Sequence, residues 1–184
     1  MSNLAPLLLV APLPAAAIWL HEQGHTAVAL YVLGASPVLF WFSINLFGLF
    51  QNEKMKSAMR PPLRAAYPKQ VQTATFSGFA RPMYRGLVHP HEDVGWLLLH
   101  PDRIEFFGES QKHSLRKEDI VGARFQWNVH SLLGLGRWIC IEARMGGKRV
   151  RMLVEPRQRR TLLGNRTLGK HLLKQIREWA KDER

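Results

Sequence analysis

Read as a pattern of apolar and polar positions, the chain divides near residue 50. Residues 4–50 are apolar almost throughout, interrupted early by Pro6, Pro12 and Pro14. A helix from just after Pro14 to about Leu33 has close to the roughly 20 residues needed to cross a bilayer, and Gly34 and Pro37 are expected to end it. Residues 38–50, rich in Phe, Leu and Trp, are expected to form a short second crossing or a re-entrant segment tucked against protein. Residues 51–93 hold Pro61-Pro62, Pro68, Gly78 and Pro82 with little periodicity, which predicts a linker on the membrane surface. From about Val94 the period shortens to two. Gly95–His100, Arg103–Phe107, His113–Leu115, Ile120–Trp127, Arg137–Ala143 and Lys148–Val154 read as short antiparallel strands, the last two joined at Met145-Gly146-Gly147. Val121, Ala123, Phe125 and Trp127 are expected on one face of their strand. After Pro156 the period lengthens: Leu168, Leu172, Ile176 and Trp179 make one apolar stripe on a helix, expected to plug the open end of a barrel.

Charge sharpens the division. All 26 Lys and Arg lie after residue 50, so the net charge of +12 belongs to the later part. Lys54, Lys56, Arg60, Arg64 and Lys69 follow the apolar region directly, which by the positive-inside tendency places residues 51–184 in the cytoplasm. The N-terminus lacks the basic residues of a signal peptide and stays apolar past Ala17, so a retained membrane segment is expected. The single cysteine, Cys140, lies in an apolar run, reads as a buried thiol, and has no partner for an internal disulfide.

Before residue 51 the only Asp, Glu, Lys or Arg is Glu22, in His21-Glu22-Gln23-Gly24-His25. An ionisable side chain in a membrane-grade segment is a functional hypothesis by default. On a continuous helix H-E-x-x-H puts two imidazoles on one face, able to share a zinc ion while the carboxylate handles the proton of a metal-bound water. The alternative is a set of polar groups satisfied by neighbouring helices. His89-Pro90-His91-Glu92-Asp93 carries further ligand-type side chains and reads as a polar loop before the first strand. Between Arg144 and Arg184 there are 13 Lys or Arg against four acids, densest at Arg149, Arg151, Arg157, Arg159 and Arg160. These form either a solvated basic face or a contact for anionic headgroups, at about 1 kcal/mol per residue. Nucleic acid is disfavoured, because no recognised nucleic-acid-binding motif accompanies the high pI.

Two resemblances follow. Residues 94–181, through Gly95-Trp-Leu-Leu-Leu-His-Pro-Asp-Arg-Ile-Glu-Phe-Phe, His113-Ser-Leu-Arg-Lys-Glu-Asp-Ile-Val and the closing helix with Trp179, resemble the pleckstrin-homology-like family in its bacterial and GRAM-type variants. That implies a binding or scaffolding module. Residues 16–50, through His21-Glu-Gln-Gly-His25 and Phe42-Ser-Ile-Asn-Leu-Phe-Gly48, resemble site-2-type intramembrane zinc metalloproteases. By that resemblance His21 and His25 would be zinc ligands and Glu22 the general base. That family takes a third ligand from the Asp of a Leu-Asp-Gly motif; no Asp here precedes a Gly. His89, His91, Asp93 or another chain would have to supply it.

The expected fold class is α+β with a membrane segment: an N-terminal transmembrane helix with a re-entrant or second short apolar segment (1–50), a surface linker (51–93), and a small antiparallel pleckstrin-homology-like barrel capped by a C-terminal helix (94–184). The expected function is that of a membrane-anchored scaffold or accessory subunit. It would join other membrane subunits through its helix and bind protein or anionic lipid through its basic domain. The alternative is a zinc-dependent intramembrane metallopeptidase.

Overall fold

The computed structural model describes residues 5–47, 49, 51–82 and 91–181. The chain forms two compact units, residues 1–50 and 51–184.

The first unit is helical: α1 (Ala5–Val10), α2 (Pro12–Glu22) and α3 (Thr26–Phe47). The single helix expected up to Leu33 is therefore two helices, broken at Gln23–His25. Gly34 and Pro37, expected to end a helix, instead lie inside α3. In a segment this apolar, leaving backbone groups unpaired costs more than bending past one missing N–H. The hydroxyl of Ser36 donates to the Val32 carbonyl at 2.7 Å, a side-chain bond to the preceding turn that accompanies the proline. Residues 38–47 are thus the second half of α3, and no separate re-entrant segment exists among the described residues. The 22 residues of α3 extend about 33 Å at roughly 1.5 Å per residue, and the helix beginning at Thr26 is long and apolar enough to cross a membrane. α2 packs along α3, and their short connection makes the pair a helical hairpin. The buried positions of α2 and α3 are Ala17, Ala29, Ser36, Ser43 and Asn45, while Ile18, Trp19, Leu30, Tyr31, Leu39 and Phe42 face outward.

The second unit opens with α4 (Asn52–Ala66), then β1 (Thr75–Ala80), β2 (Asp93–Leu99), β3 (Arg103–Gly108), β4 (Lys112–Arg116), β5 (Ile120–Gln126), the short α5 (Val129–Leu132), β6 (Trp138–Met145), β7 (Lys148–Pro156) and α6 (Leu162–Lys181). All seven strands join one antiparallel sheet in the order β4-β3-β2-β1-β7-β6-β5. The stretch read as a linker thus contains a helix and the central strand. β1 is buried along its length, so Ser77 and Gly78 hide the alternation that marks the other strands. α4 holds despite Pro61 and Pro62 because Met55, Met59 and Leu63, four residues apart, pack on Phe76, Trp96, Leu98 and Phe107. The carbonyls those prolines leave unpaired belong to Ser57 and Ala58, which are exposed.

The opposite face of every strand contributes to a single core: Phe79, Leu97, Ile104, Phe106, Leu115, Ile120, Ile139, Ile141, Met152 and Val154, closed by Leu172, Leu173 and Ile176 of α6. A sheet whose two end strands share one core must curl, and α6 covers it as its apolar stripe requires. Trp179 packs at the margin, its indole N–H donating to the His100 carbonyl at 2.8 Å. The β6–β7 hairpin turns on Gly146 (φ 55°) and Gly147 (φ 77°), the paired positive φ of a type I′ turn. In β5 a register shift between Ile120 and Gly122 puts Ile120, not Val121, into the core. Val121 and Trp127 are exposed, and only Ala123 and Phe125 of the expected face pack inward.

Candidate functional site

His21-Glu22-Gln23-Gly24-His25 forms a turn. α2 ends at Glu22, and Gly24 takes φ 82°, the left-handed conformation suited to glycine. The Gly24 N–H bonds to the His21 carbonyl at 3.0 Å and the His25 N–H to the Leu20 carbonyl at 2.9 Å. This pair of bonds is the Schellman arrangement that satisfies the last carbonyls of a helix. The His25 carbonyl then accepts the first bond of α3, from Ala29 at 3.0 Å, and His21 Nδ1 lies 3.2 Å from the Thr26 hydroxyl. His21 and His25 therefore sit on opposite sides of a helix break rather than one turn apart on one face.

The turn does not give His21 and His25 the shared helical face drawn from the sequence. The described residues hold no group of three His, Cys, Asp or Glu able to bind a metal. Of the three expected sources of a third ligand, His89 lies outside the described residues. Asp93 accepts backbone N–H bonds from Val94, Ser110 and Gln111 at 2.8, 3.1 and 2.9 Å, fastening the β3–β4 turn. His91 is buried against Glu155.

That last pair is the centre of a polar seam on the outer face of the sheet. Glu155 on β7 is directly paired with Gly78 on β1. Gly78 has no side chain, and the ring of His91 occupies the space; a Cβ there would fall 1.8 Å from it. His91 Nε2 lies 3.1 Å from Glu155 Oε2, and its ring meets Trp138 edge-on at 5.0 Å. Asn128 Nδ2 donates to the same carboxylate oxygen at 2.9 Å. Arg157 approaches His91 Nδ1 at 3.5 Å. Burial holds its pKa below the usual arginine value, with Glu155 pulling the other way. The seam fastens the segment entering β2, the β5–β6 connection and the end of β7 to one carboxylate. The reading of His91 as a loop residue missed it. The available signal was a lone Glu after the apolar run Met152-Leu153-Val154.

The five arginines expected to meet lipid are spread along β7 and past its end. Arg149 is exposed beside the β6–β7 turn. Arg151 pairs with Glu142 at 3.1 Å, as does Arg124 at the same distance. Burial raises the Glu142 pKa, but the hydrogen bond from Arg124 and the charges of Arg151 and Arg124 more than offset it and leave it below the ordinary value. Arg157 belongs to the seam. Arg159 and Arg160 are exposed at the corner between β7 and α6. From Arg149 to Pro156 β7 extends about 23 Å at roughly 3.3 Å per residue, and Arg159 lies beyond its end. The Arg149 end borders a groove of about 710 Å³ with Phe79, Leu115 and Met152 in its lining and Arg81, Arg149 and Arg151 among its charged residues. Arg81 is ion-paired with Glu92.

The Arg159 end is where the chain enters this unit. Asn52 donates to the Arg157 carbonyl at 2.6 Å and Lys56 to the Gln158 carbonyl at 3.2 Å. The Gln158 side chain accepts the Phe76 N–H at 3.1 Å. Compared with known protein families and with characterised proteins, the chain matches none.

Proposed function

We propose that this protein is a membrane-anchored accessory subunit whose pleckstrin-homology-like domain lies on the cytoplasmic face and binds anionic headgroups through its basic surface. The observation that carries this is the burial pattern of the helical hairpin. Its enclosed positions are small or polar and its outward positions are large and apolar, the arrangement suited to helices solvated by lipid. A hairpin puts residue 5 and residue 51 on the same side, and the cations that follow residue 50 favour the cytoplasmic side. The polar turn at residues 21–25 then meets water on the far side, so Glu22 needs no metal and no partner helix.

The family assignment of the domain is supported by its connectivity. A four-strand meander, β1–β4, meets a three-strand meander, β5–β7, through the β1–β7 pairing, around one core closed by a C-terminal helix. Arg159 and Arg160, exposed next to the residues that bond the start of α4, are the cations best placed for headgroups.

The test uses the full-length protein. It should stay with membranes through alkaline carbonate extraction. In nanodiscs, tryptic cleavage at Arg159 and Arg160 should slow when phosphatidylglycerol is added to phosphatidylcholine, and salt should reverse the slowing. Release by carbonate, or cleavage indifferent to lipid charge, would refute the reading.

A further inference from the structure

The β5–β6 connection carries apolar side chains that the domain does not cover. Trp127 is 74% exposed and Leu132 is 77% exposed, with Leu133 also exposed beside them. This is not a loose loop. Asn128 and Ser131 form a reciprocal capping box at the start of α5, and the Ser131 hydroxyl donates to the Gly136 carbonyl at 2.9 Å. Leu135 is fully buried as an anchor, and Arg166 donates to the Gly134 carbonyl. A rigid scaffold holding apolar groups out of the protein presents them to something other than water.

Its place in the fold says what. Asn128 bonds to Glu155, two residues before Arg157. Arg157 and Gln158 are in turn bonded by Asn52 and Lys56, near the start of α4. The loop is therefore tied to the start of α4, where this unit begins. Cations surround that point: Arg159 and Arg160 are exposed, Arg166 reaches the loop, and Arg137 stacks on Phe125 at 4.9 Å.

We infer that this connection is a second membrane contact. On this inference Trp127, Leu132 and Leu133 enter the interfacial layer of an anionic bilayer while the neighbouring arginines meet its headgroups. Trp favours that layer, and insertion of apolar side chains by roughly 5–10 Å is typical of interfacial elements. This rests on the membrane-anchored reading above and adds a specific inserting element to it.

The experiment uses the full-length chain with Cys140→Ala, bearing an environment-sensitive fluorophore at Leu132→Cys or, separately, at Arg160→Cys, in nanodiscs with phosphatidylglycerol. The expected result is a blue-shifted Leu132 probe quenched by acyl-chain spin labels, with the Arg160 probe quenched only by headgroup labels. Trp127→Ser combined with Leu133→Ser should return the Leu132 probe to its emission in water. A water-like Leu132 probe beside a headgroup-quenched Arg160 probe would overturn the wedge while leaving the headgroup contact standing. That outcome would hand the loop to a protein partner. Two unquenched probes would overturn both.

Discussion

The two units obey the same physics in opposite directions. In residues 51–184 large side chains fill the core: Trp96, Phe76, Phe79 and Phe106 have almost no exposure, with Trp127 the main exception. In α2 and α3 the enclosed side chains are Ala17, Ala29, Ser36, Ser43 and Asn45, and Trp19, Leu30, Tyr31 and Phe42 point away from the hairpin; Leu49, past the end of α3, is enclosed as well. Water drives the first arrangement by expelling apolar surface. Lipid provides no such drive, so helices there pack through small side chains that let backbones approach. On the membrane-anchored reading proposed above, the difference marks the solvent each unit is built for more clearly than hydropathy does, because hydropathy counts apolar residues without asking which way they face.

Two tryptophans put this to the largest test. Trp96→Ala removes a ring packed edge-on against Phe76 at 5.2 Å and should cost about 3–5 kcal/mol. Trp19→Ala removes an outward ring and should change stability in detergent by less than about 0.5 kcal/mol. Denaturant melts of the two variants measure the contrast. Equal losses would mean that Trp19 packs in the folded protein and that the inside-out description is wrong.

The carboxylates give a second pairing. Glu155 serves His91, Asn128 and the desolvated Arg157. Glu155→Ala leaves a buried cation uncompensated and should cost about 3 kcal/mol, read as a lowered thermal midpoint and faster proteolysis of the β5–β6 connection. Glu22→Ala, at an exposed turn, should leave the midpoint unchanged within error. Purified protein should carry no stoichiometric zinc, and His21→Ala should not alter that. A large effect of Glu22→Ala on folding, or one zinc per chain, would return the motif to the metal reading.

A pH dependence separates the units further. Tyr67, at the end of α4, donates to Glu105. Burial first, and that bond second, push its phenol up to about 12 from an ordinary 10. A group whose pKa is raised on folding stabilises fully below its unfolded pKa and loses that contribution as pH rises through the folded one. Stability of the sheet unit should therefore fall between about pH 10 and 12 as α4 loosens. Tyr67→Phe should flatten that part of the profile in thermal melts taken at stepped alkaline pH. An unchanged slope would show that Tyr67 does not hold α4 to the sheet.

Much of the sheet unit was legible in the sequence because alternation reports burial on one face. Six strands, the Gly146-Gly147 turn and the stripe of α6 follow from it. β1 was not legible: buried on both faces, and with Ser77 and Gly78 at its middle, it has no alternation to show. α4 was hidden by Pro61 and Pro62, whose lost N–H bonds matter little where the freed carbonyls are hydrated. The seam at Glu155 was illegible for a different reason. Its members lie at positions 78, 91, 128, 155 and 157; only Gly78 and Glu155 are strand partners, and the others come in from the ends of β2, β5 and β7. The basic surface was read as one because its arginines are close in sequence, yet the length of β7 spreads them out, Arg151 is tied to Glu142 and Arg157 is desolvated in the seam.

The turn at residues 21–25 shows where a motif and a helix signal compete. His-Glu-x-x-His argues for a continuous helix; a glycine at its fourth position argues for an end. The two readings assign opposite signs to Gly24→Ala. Inside a helix, alanine would stabilise by roughly 0.5–1 kcal/mol over glycine. At φ 82° an alanine should instead destabilise by about 1 kcal/mol, the left-handed penalty on a Cβ. No neighbouring atom lies within 4 Å of that Cβ, so the backbone term stands almost alone and packing cannot mask its sign. The measurement is the midpoint of hairpin unfolding in detergent for Gly24→Ala against the parent, with helical content followed at the same time. A lowered midpoint at unchanged helicity keeps the two-helix turn. A raised midpoint with added helicity would mean the helix runs through, bringing His21 and His25 onto one face after all.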